Sequence, residues 1–294
     1  MSFAHRRIDL EFQLGQGDFG KADFDTVRVS GLRVTATVTR SGGAQMSELN
    51  MRVFGLPLDV MNKLTILNIL RQYDARRNTV VFSAGDDGSV ATCFIGNIVE
   101  AWADISQPEG AMYVRAASGY LDLLQPVAPT SYKGAVDAAF ILSGLAARMN
   151  PPLTVENSGV SVQLSNPYLA GTLLDQIRAI AQAGNFNCVI DDVNRRLAIW
   201  PANGARGGQR TVVGPDTGMV GYPSYTQSGI QLTMLYNPAI AFGTEIHVES
   251  QLLPASGGWM VAQVSHDLES EVPGGKWFTR VECGLIGQAV PIIT

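Results

Sequence analysis

The chain is poor in the residues that build reaction centres. It has three cysteines and three histidines among 294 residues. Cys93, Cys188 and Cys283 stand far apart among apolar, strand-like neighbours, and no C-x-x-C pair exists to hold a metal, so they read as buried free thiols. Few histidines leave few general bases, and no Gly-x-Ser-x-Gly, His-Glu-x-x-His or Walker loop is present. Charge is also scarce, at 16% of residues, and the net charge of -5 argues against a protein that grips phosphate backbones. No apolar run approaches the roughly 18 residues of a membrane-spanning helix, and the start MSFAHRR lacks a signal peptide's apolar stretch. These features predict a protein made in the cytoplasm, with no membrane insertion.

What is abundant is turn chemistry. Thirty-one glycines and 14 prolines in a chain that is 46% hydrophobic favour many short strands over long helices, arranged in two or three domains. Ile8, Leu10, Phe12 and Leu14 alternate with polar neighbours, as one face of a half-buried strand requires. Val27 to Arg40 alternates in two phases that change at Gly31, which predicts a bulge or bend there. Leu49, Met51 and Val53 alternate again, Pro57 to Leu64 reads as a short helix, and further strands are expected at 79–83, 90–104 and 111–125.

The pattern changes after Pro126 and Pro129. Ala138, Leu142, Leu145 and Met149 form a helical stripe ended by Pro151 and Pro152. Leu169, Leu173, Ile177 and Ile180 form a second, for which Asn166 and Pro167 supply a start and Gly184 a stop. Strands at 153–156 and 160–164 lie between them, and a hairpin of 187–190 with 197–200 closes a small α/β insert. Residues 203–210 (NGARGGQR) read as a flexible basic loop, after which strand patterns resume.

Two blocks recur. Ser30 to Thr35 (SGLRVT) matches Ser228 to Thr233 (SGIQLT), and Pro108, Gly110, Tyr113, Arg115 and Gly119 match Pro273, Gly275, Phe278, Arg280 and Gly284. The offset is 198 residues between Gly31 and Gly229 but 165 between Gly119 and Gly284, so the first copy carries about 33 more residues, best placed at 57–89. Matched turns and alternation indicate a duplicated β-domain, with Gly31 and Gly229 expected in equivalent bends, and Gly119 and Gly284 likewise. Two such domains per chain suit a quasi-symmetric ring.

Candidate chemistry is thin. Gly15, Gly17 and Gly20 fit G-x-G-x-x-G after a strand, but Val27 and Val29 continue as strand, so no helix N-terminus is available for a pyrophosphate and a hairpin loop is the better reading. Glu245, His247 and Glu249 lie opposite the apolar Ile246 and Val248, on a solvated or interface face. His266, Asp267, Glu269 and Glu271 read as a polar strand end rather than an acid-base cluster, Asp86-Asp87 and Asp191-Asp192 sit in turns, and His5 has no evident partner. No catalytic, cofactor-binding or metal-ligating residue is assigned. The alternatives are a hydrolase of cell-wall polymers and a carbohydrate- or partner-binding β module.

Gly218 to Ile230 (GMVGYPSYTQSGI), Leu235 to Pro238, Gly243, His247 to Ser250, Trp259, Val264 to Ser270 and Gly274 to Thr279 resemble the hub proteins of tailed phages, the Mu-type tail hub family. Ser30 to Leu32, Gly42-Gly43, Leu49 to Leu56, Met61-Asn62 and Arg77-Asn78 are similar to the same family. The resemblance implies a mainly β (α+β) fold, with two tail-tube-like barrels at 1–127 (carrying the insertion at 57–89) and 208–294 around an α/β insert at 128–207. It implies a non-enzymatic virion protein without cofactors, assembled in the bacterial host cytoplasm. Its implied partners are two further copies of itself in a homotrimeric, pseudo-hexameric ring, the tail tube or distal tail proteins above and a central spike below, with the tape-measure protein and baseplate wedge as further neighbours. DNA would pass through without specific binding, so pore-facing residues should be neutral or acidic. The faces of Glu245, His247 and Glu249, or of Arg28 and Arg33, are the candidates for that lining.

Overall fold

The computed structural model describes residues 5–15, 19, 25–42, 46–65, 78–86, 88–106 and 108–286. The G-x-G-x-x-G reading falls largely outside them, at Gly17 and Gly20, as do Gly43, Arg77, Asp87 and part of the insertion expected at 57–89. The protein is mainly β. Its first region holds β1 (Arg6–Gln13), β2 (Thr26–Ser30), β3 (Val34–Ser41), β4 (Glu48–Phe54), α1 (Leu58–Leu64), β5 (Thr79–Asp86), β6 (Ser89–Asp104), β7 (Ala111–Ala117) and the short α2 (Tyr120–Leu124). There follow β8 (Thr130–Ser131), β9 (Ala135–Asp137), α3 (Ala138–Ala146), β10 (Thr154–Asn157), β11 (Gln163–Ser165), β12 (Tyr168–Leu169), α4 (Leu173–Gly184), β13 (Phe186–Asp191) and β14 (Arg196–Pro201). The last region holds β15 (Arg206–Val213), β16 (Met219–Thr226), β17 (Gly229–Leu235), β18 (Thr244–Val248), β19 (Gly257–Ser270) and β20 (Trp277–Gly284).

The chain divides into two compact units. The first comprises Met1–Thr39, Ser47–Tyr120 and Ser265–Thr279. Its strands run β2-β1-β5-β6-β7-β4-β3, with the end of β19 beyond β3. Alternation sets what is buried: Ile8, Leu10 and Phe12 from β1, Val34 and Val38 from β3, and Leu49 and Val53 from β4 are all nearly inaccessible. Gly31 stands between β2 and β3 with φ +67, a left-handed conformation that suits glycine, so the phase change does mark a bend. The 111–125 stretch is strand only to Ala117; Gly119, with φ +62, turns the chain into α2.

The second unit comprises Arg40–Met46, Leu121–Val264 and Arg280–Thr294. Within it α3 and α4 bury Ile141, Leu142, Leu145, Leu173, Ile177 and Ile180 against Leu197 and Ile199 of the β13–β14 hairpin, and β10 joins β14 in parallel. The second helical stripe starts later than its sequence suggests. Asn166 sits at φ +48 and Leu169 belongs to β12, while Thr172 caps α4 in a reciprocal box with Asp175. A second core of Ile230, Leu232, Ile246, Val248, Val261 and Val281 underlies the last strands.

The same strand order occurs twice. Taken in chain order as first to fifth, β3, β4, β5, β6 and β7 lie side by side as first-second-fifth-fourth-third, and β16, β17, β18, β19 and β20 do the same. The Pro108–Arg115 block and the Pro273–Arg280 block occupy the same turn and fifth strand in each copy, as expected. Gly119, however, turns the chain beyond β7 at φ +62 whereas Gly284 is the last residue of β20, so these two glycines do not occupy equivalent bends. The other pair does not correspond: Gly31 precedes the first strand of its copy, whereas Gly229 opens the second strand of its own. Ser-Gly punctuation suits either place, because both need a turn, so the match was local rather than topological. Among the described residues no set of strands closes into a barrel.

Candidate interface surfaces

The outward face of the first unit carries a built polar and aromatic surface. Strand register places Trp102, Tyr113, Arg52 and Thr35 in one row across β6, β7, β4 and β3, and Glu100, Arg115, Asn50 and Thr37 in the next. Trp102 and Tyr113 stack at 5.1 Å with planes 2° apart. The Arg52 guanidinium lies 4.8 Å from the Tyr113 ring, and Arg33 lies 3.8 Å from the Phe54 ring while pairing with Glu109 at 2.5 Å. Such cross-strand contacts each contribute a fraction of a kcal/mol and hold long side chains upright on the sheet. The second row ends on β19, where the Thr37 hydroxyl donates to Asp267 at 3.0 Å. The two rows line an open groove of about 350 Å3 in which Arg52, Arg115 and Lys276 face Glu100, Asp267 and Glu269. With three bases against three acids, this surface suits a partner of mixed charge better than a polyanion.

His266 and Asp267 point to opposite sides, as adjacent strand residues must. His266 is fully buried, with Nδ1 2.9 Å from the Thr279 hydroxyl, whereas Asp267 and Glu269 face the groove. His5, contrary to expectation, has a partner: its Nε2 lies 2.8 Å from Glu271. Sequence separation hid a contact that only the fold brings together.

In the second unit Ile246 and Val248 are buried, and Glu245, on the opposite face of β18, pairs with Arg210 at 2.6 Å. Arg28, in the first unit, pairs with Glu11 at 2.6 Å. The charges singled out as lining candidates are therefore partly neutralised at short range.

The most concentrated electrostatics surround Arg206. This residue lies in a stretch that reads as a flexible basic loop; instead it begins β15, which runs parallel to β18 with a bulge before Thr211. The reason is burial with compensation. Arg206 is 7% exposed in its side chain, donates to both Glu156 oxygens at 2.8 and 3.0 Å, and donates to Asp191 at 2.9 Å. Arg196 adds a bond to Glu156 at 3.0 Å, and Asn194 donates twice to Asp191. The Arg206 bonds hold the Glu156 carboxyl below its usual range. Burial pushes Asp191 up, but the Asn194 and Arg206 bonds together outweigh it and bring it down. Asp191 thus serves the turn that its sequence context suggests and also neutralises a buried cation, a role that sequence did not reveal. Nearby, Gly243 has φ +81 and packs so closely on Trp200 that a Cβ there would lie 2.5 Å from the ring.

All three cysteines are buried, and burial pushes the thiols of Cys188 and Cys283 up to about 11 and about 12. These thiols stay protonated and unreactive near neutrality. Asp86 accepts from the backbone of Gly88 and Ser89, the turn role expected of it. Among the described residues no cluster of His, Cys, Asp and Glu has the makings of a metal site.

Comparison with known proteins places this fold. The family model described as Baseplate hub gp41 matches residues 12–283. A tail protein from Neisseria meningitidis MC58 superposes with a TM-score of 0.62 at 9% identity, over 97% of this chain and 98% of that one. The 43 kDa tail protein of prophage MuSo2 from Shewanella oneidensis gives 0.60 at 10% identity, over 96% and 99%. The E. coli c3393 protein, described as a component of the type VI secretion system with structural similarity to T4 tail proteins gp27 and gp5, gives 0.59 at 11% identity, over 88% and 77%. At these identities the likeness shows the fold. No curated protein matches the chain by sequence.

Proposed function

Since the chain belongs to the baseplate hub gp41 family of tailed phages, we propose that it is the structural hub subunit of the tail, three copies of which form a ring with six similar β-domains. The observation that carries this reading is the strand order repeated twice in one chain, because a duplicated domain lets three chains present six near-equivalent positions. In this reading the barrel-like domains are 1–127 and 208–294, flanking the insert at 128–207. The ring meets the sixfold tail tube or distal tail proteins on one side and a threefold central spike on the other, near the tape-measure protein and baseplate wedge. It acts in the virion without catalysis or cofactor, after assembly in the host cytoplasm, and DNA passes without being held. The short-range pairing of Arg28 with Glu11, Arg33 with Glu109 and Arg210 with Glu245 supports a lumen without a free basic stripe.

Electron microscopy and native mass measurement of the purified full chain test the reading. A threefold ring of three chains is expected. A particle that stays monomeric at high concentration and in the presence of the spike argues against it, as does a lumen lined by a continuous basic stripe.

A further inference from the structure

The fourth strand of each copy is long: β6 has 16 residues and β19 has 14. Its first part pairs with the third strand, β6 with β5 through Asn97 and β19 with β18 through Met260. Its second part outruns that neighbour, leaving one side of the strand without the partner its backbone groups require. For β19 that side is taken by β3, the first strand of the other copy. The Thr37–Asp267 bond and the 3.0 Å bond from the Ser270 hydroxyl to the Leu32 carbonyl mark the junction. Residue numbers rise on one strand as they fall on the other, so the junction is antiparallel.

Among the described residues the matching junction has both of its halves unused. On β6 the Ile98 amide still donates to the Asn78 carbonyl at 2.8 Å, and residues 99–104 have β7 on one side and no strand of the described residues on the other. On β16, the first strand of the second copy, the outer side is a sheet edge among the described residues. Both surfaces expose large apolar side chains of the kind an interface covers: Val220, Tyr222 and Tyr225 on β16, and Trp102 and Ile105 at the end of β6. The β16 edge is also guarded. Gly221 at φ +72 and Pro223 lie in a bulge between Val220 and Ser224, a device that discourages indiscriminate strand addition and so favours one shaped partner.

We propose that the outer edge of β16 docks against the side of β6, residues 99–104, that no described strand covers, in a second copy of this chain, repeating between chains the junction that β3 and β19 make within one. The contact is head to tail, using a different surface on each partner, and such contacts close into a ring when the rotation permits. This proposal rests on the ring reading above and assigns its interface.

The test uses the full chain with Tyr225→p-benzoylphenylalanine, a photo-crosslinking residue, prepared as a mixture of nitrogen-14 and nitrogen-15 protein whose native mass is measured first. On illumination, cross-links from position 225 should fall within 98–106, in peptide pairs of mixed isotope. A trimer whose cross-links fall elsewhere, remain within one isotope or fail to form overturns this interface and leaves the ring reading standing. A chain that is monomeric under all conditions overturns both. As a second measurement, Tyr222→Glu with Tyr225→Glu should weaken association at least about tenfold, as loss of interface anchors does, while the far-ultraviolet circular dichroism is unchanged. Unaltered association in that folded variant counts against the proposal.

Discussion

Replacing Arg206 by methionine tests the buried ion network directly. Methionine keeps much of the side-chain length but removes the cation from Glu156 and Asp191, whose side chains are 20% and 13% exposed. Breaking a buried ion pair by removing one partner costs about 3–5 kcal/mol, because the remaining charge keeps its desolvation penalty and loses its compensation. In a unit of this size each kcal/mol lowers the midpoint by roughly 2–4 °C, so a loss of about 6–20 °C is expected in a thermal melt followed by circular dichroism at pH 7. The pH dependence supplies the sign. Both carboxyls have folded pKa values below their unfolded ones, so their stabilising contribution is present above about pH 4 and is lost as pH falls through the folded values. The gap between wild type and Arg206→Met should therefore be widest near neutrality and narrow below about pH 4, where protonation removes the unpaired charges. Adding Glu156→Gln and Asp191→Asn should recover part of the loss at pH 7. A variant melting within about 1 °C of wild type at pH 7 would refute the claim that this network is desolvated.

Three other perturbations have defined outcomes. Thr172→Ala removes the α4 capping box and should cost about 1 kcal/mol, whereas Thr172→Ser should cost little; equal melts for all three proteins would disprove the cap. Gly243→Ala places a Cβ against Trp200 at φ +81 and should destabilise by more than about 1 kcal/mol, with near-ultraviolet circular dichroism reporting the displaced tryptophan; an unchanged signal and melt would show that the site relaxes freely. Native protein should not react with a thiol reagent at pH 8 until it is unfolded, since Cys188 and Cys283 are buried and their thiols raised; a rapid equivalent of reaction in the native state would contradict that burial.

The sequence by itself determined which residues are core and the class of the protein. Alternation at Ile8, Leu10 and Phe12, or at Ile246 and Val248, names the buried face because the side-chain period of a strand is two whatever it pairs with. The helical stripes of α3 and α4, the hairpin of β13 with β14 and the matched turns before β7 and β20 follow from equally local rules. Only the tertiary structure decided what lies far apart in sequence. Arg206 looks like a loop residue until Glu156 and Asp191 are brought to it, His5 looks unpartnered until Glu271 is, and Ser30-Gly31 looks like Ser228-Gly229 until strand order assigns them to different steps of the repeat. The row of Trp102, Tyr113 and Arg52 likewise exists only through register across β6, β7 and β4. The physical reason is common to all of these. Burial periodicity is written into each strand separately, whereas charge compensation and strand pairing depend on partners that folding alone selects.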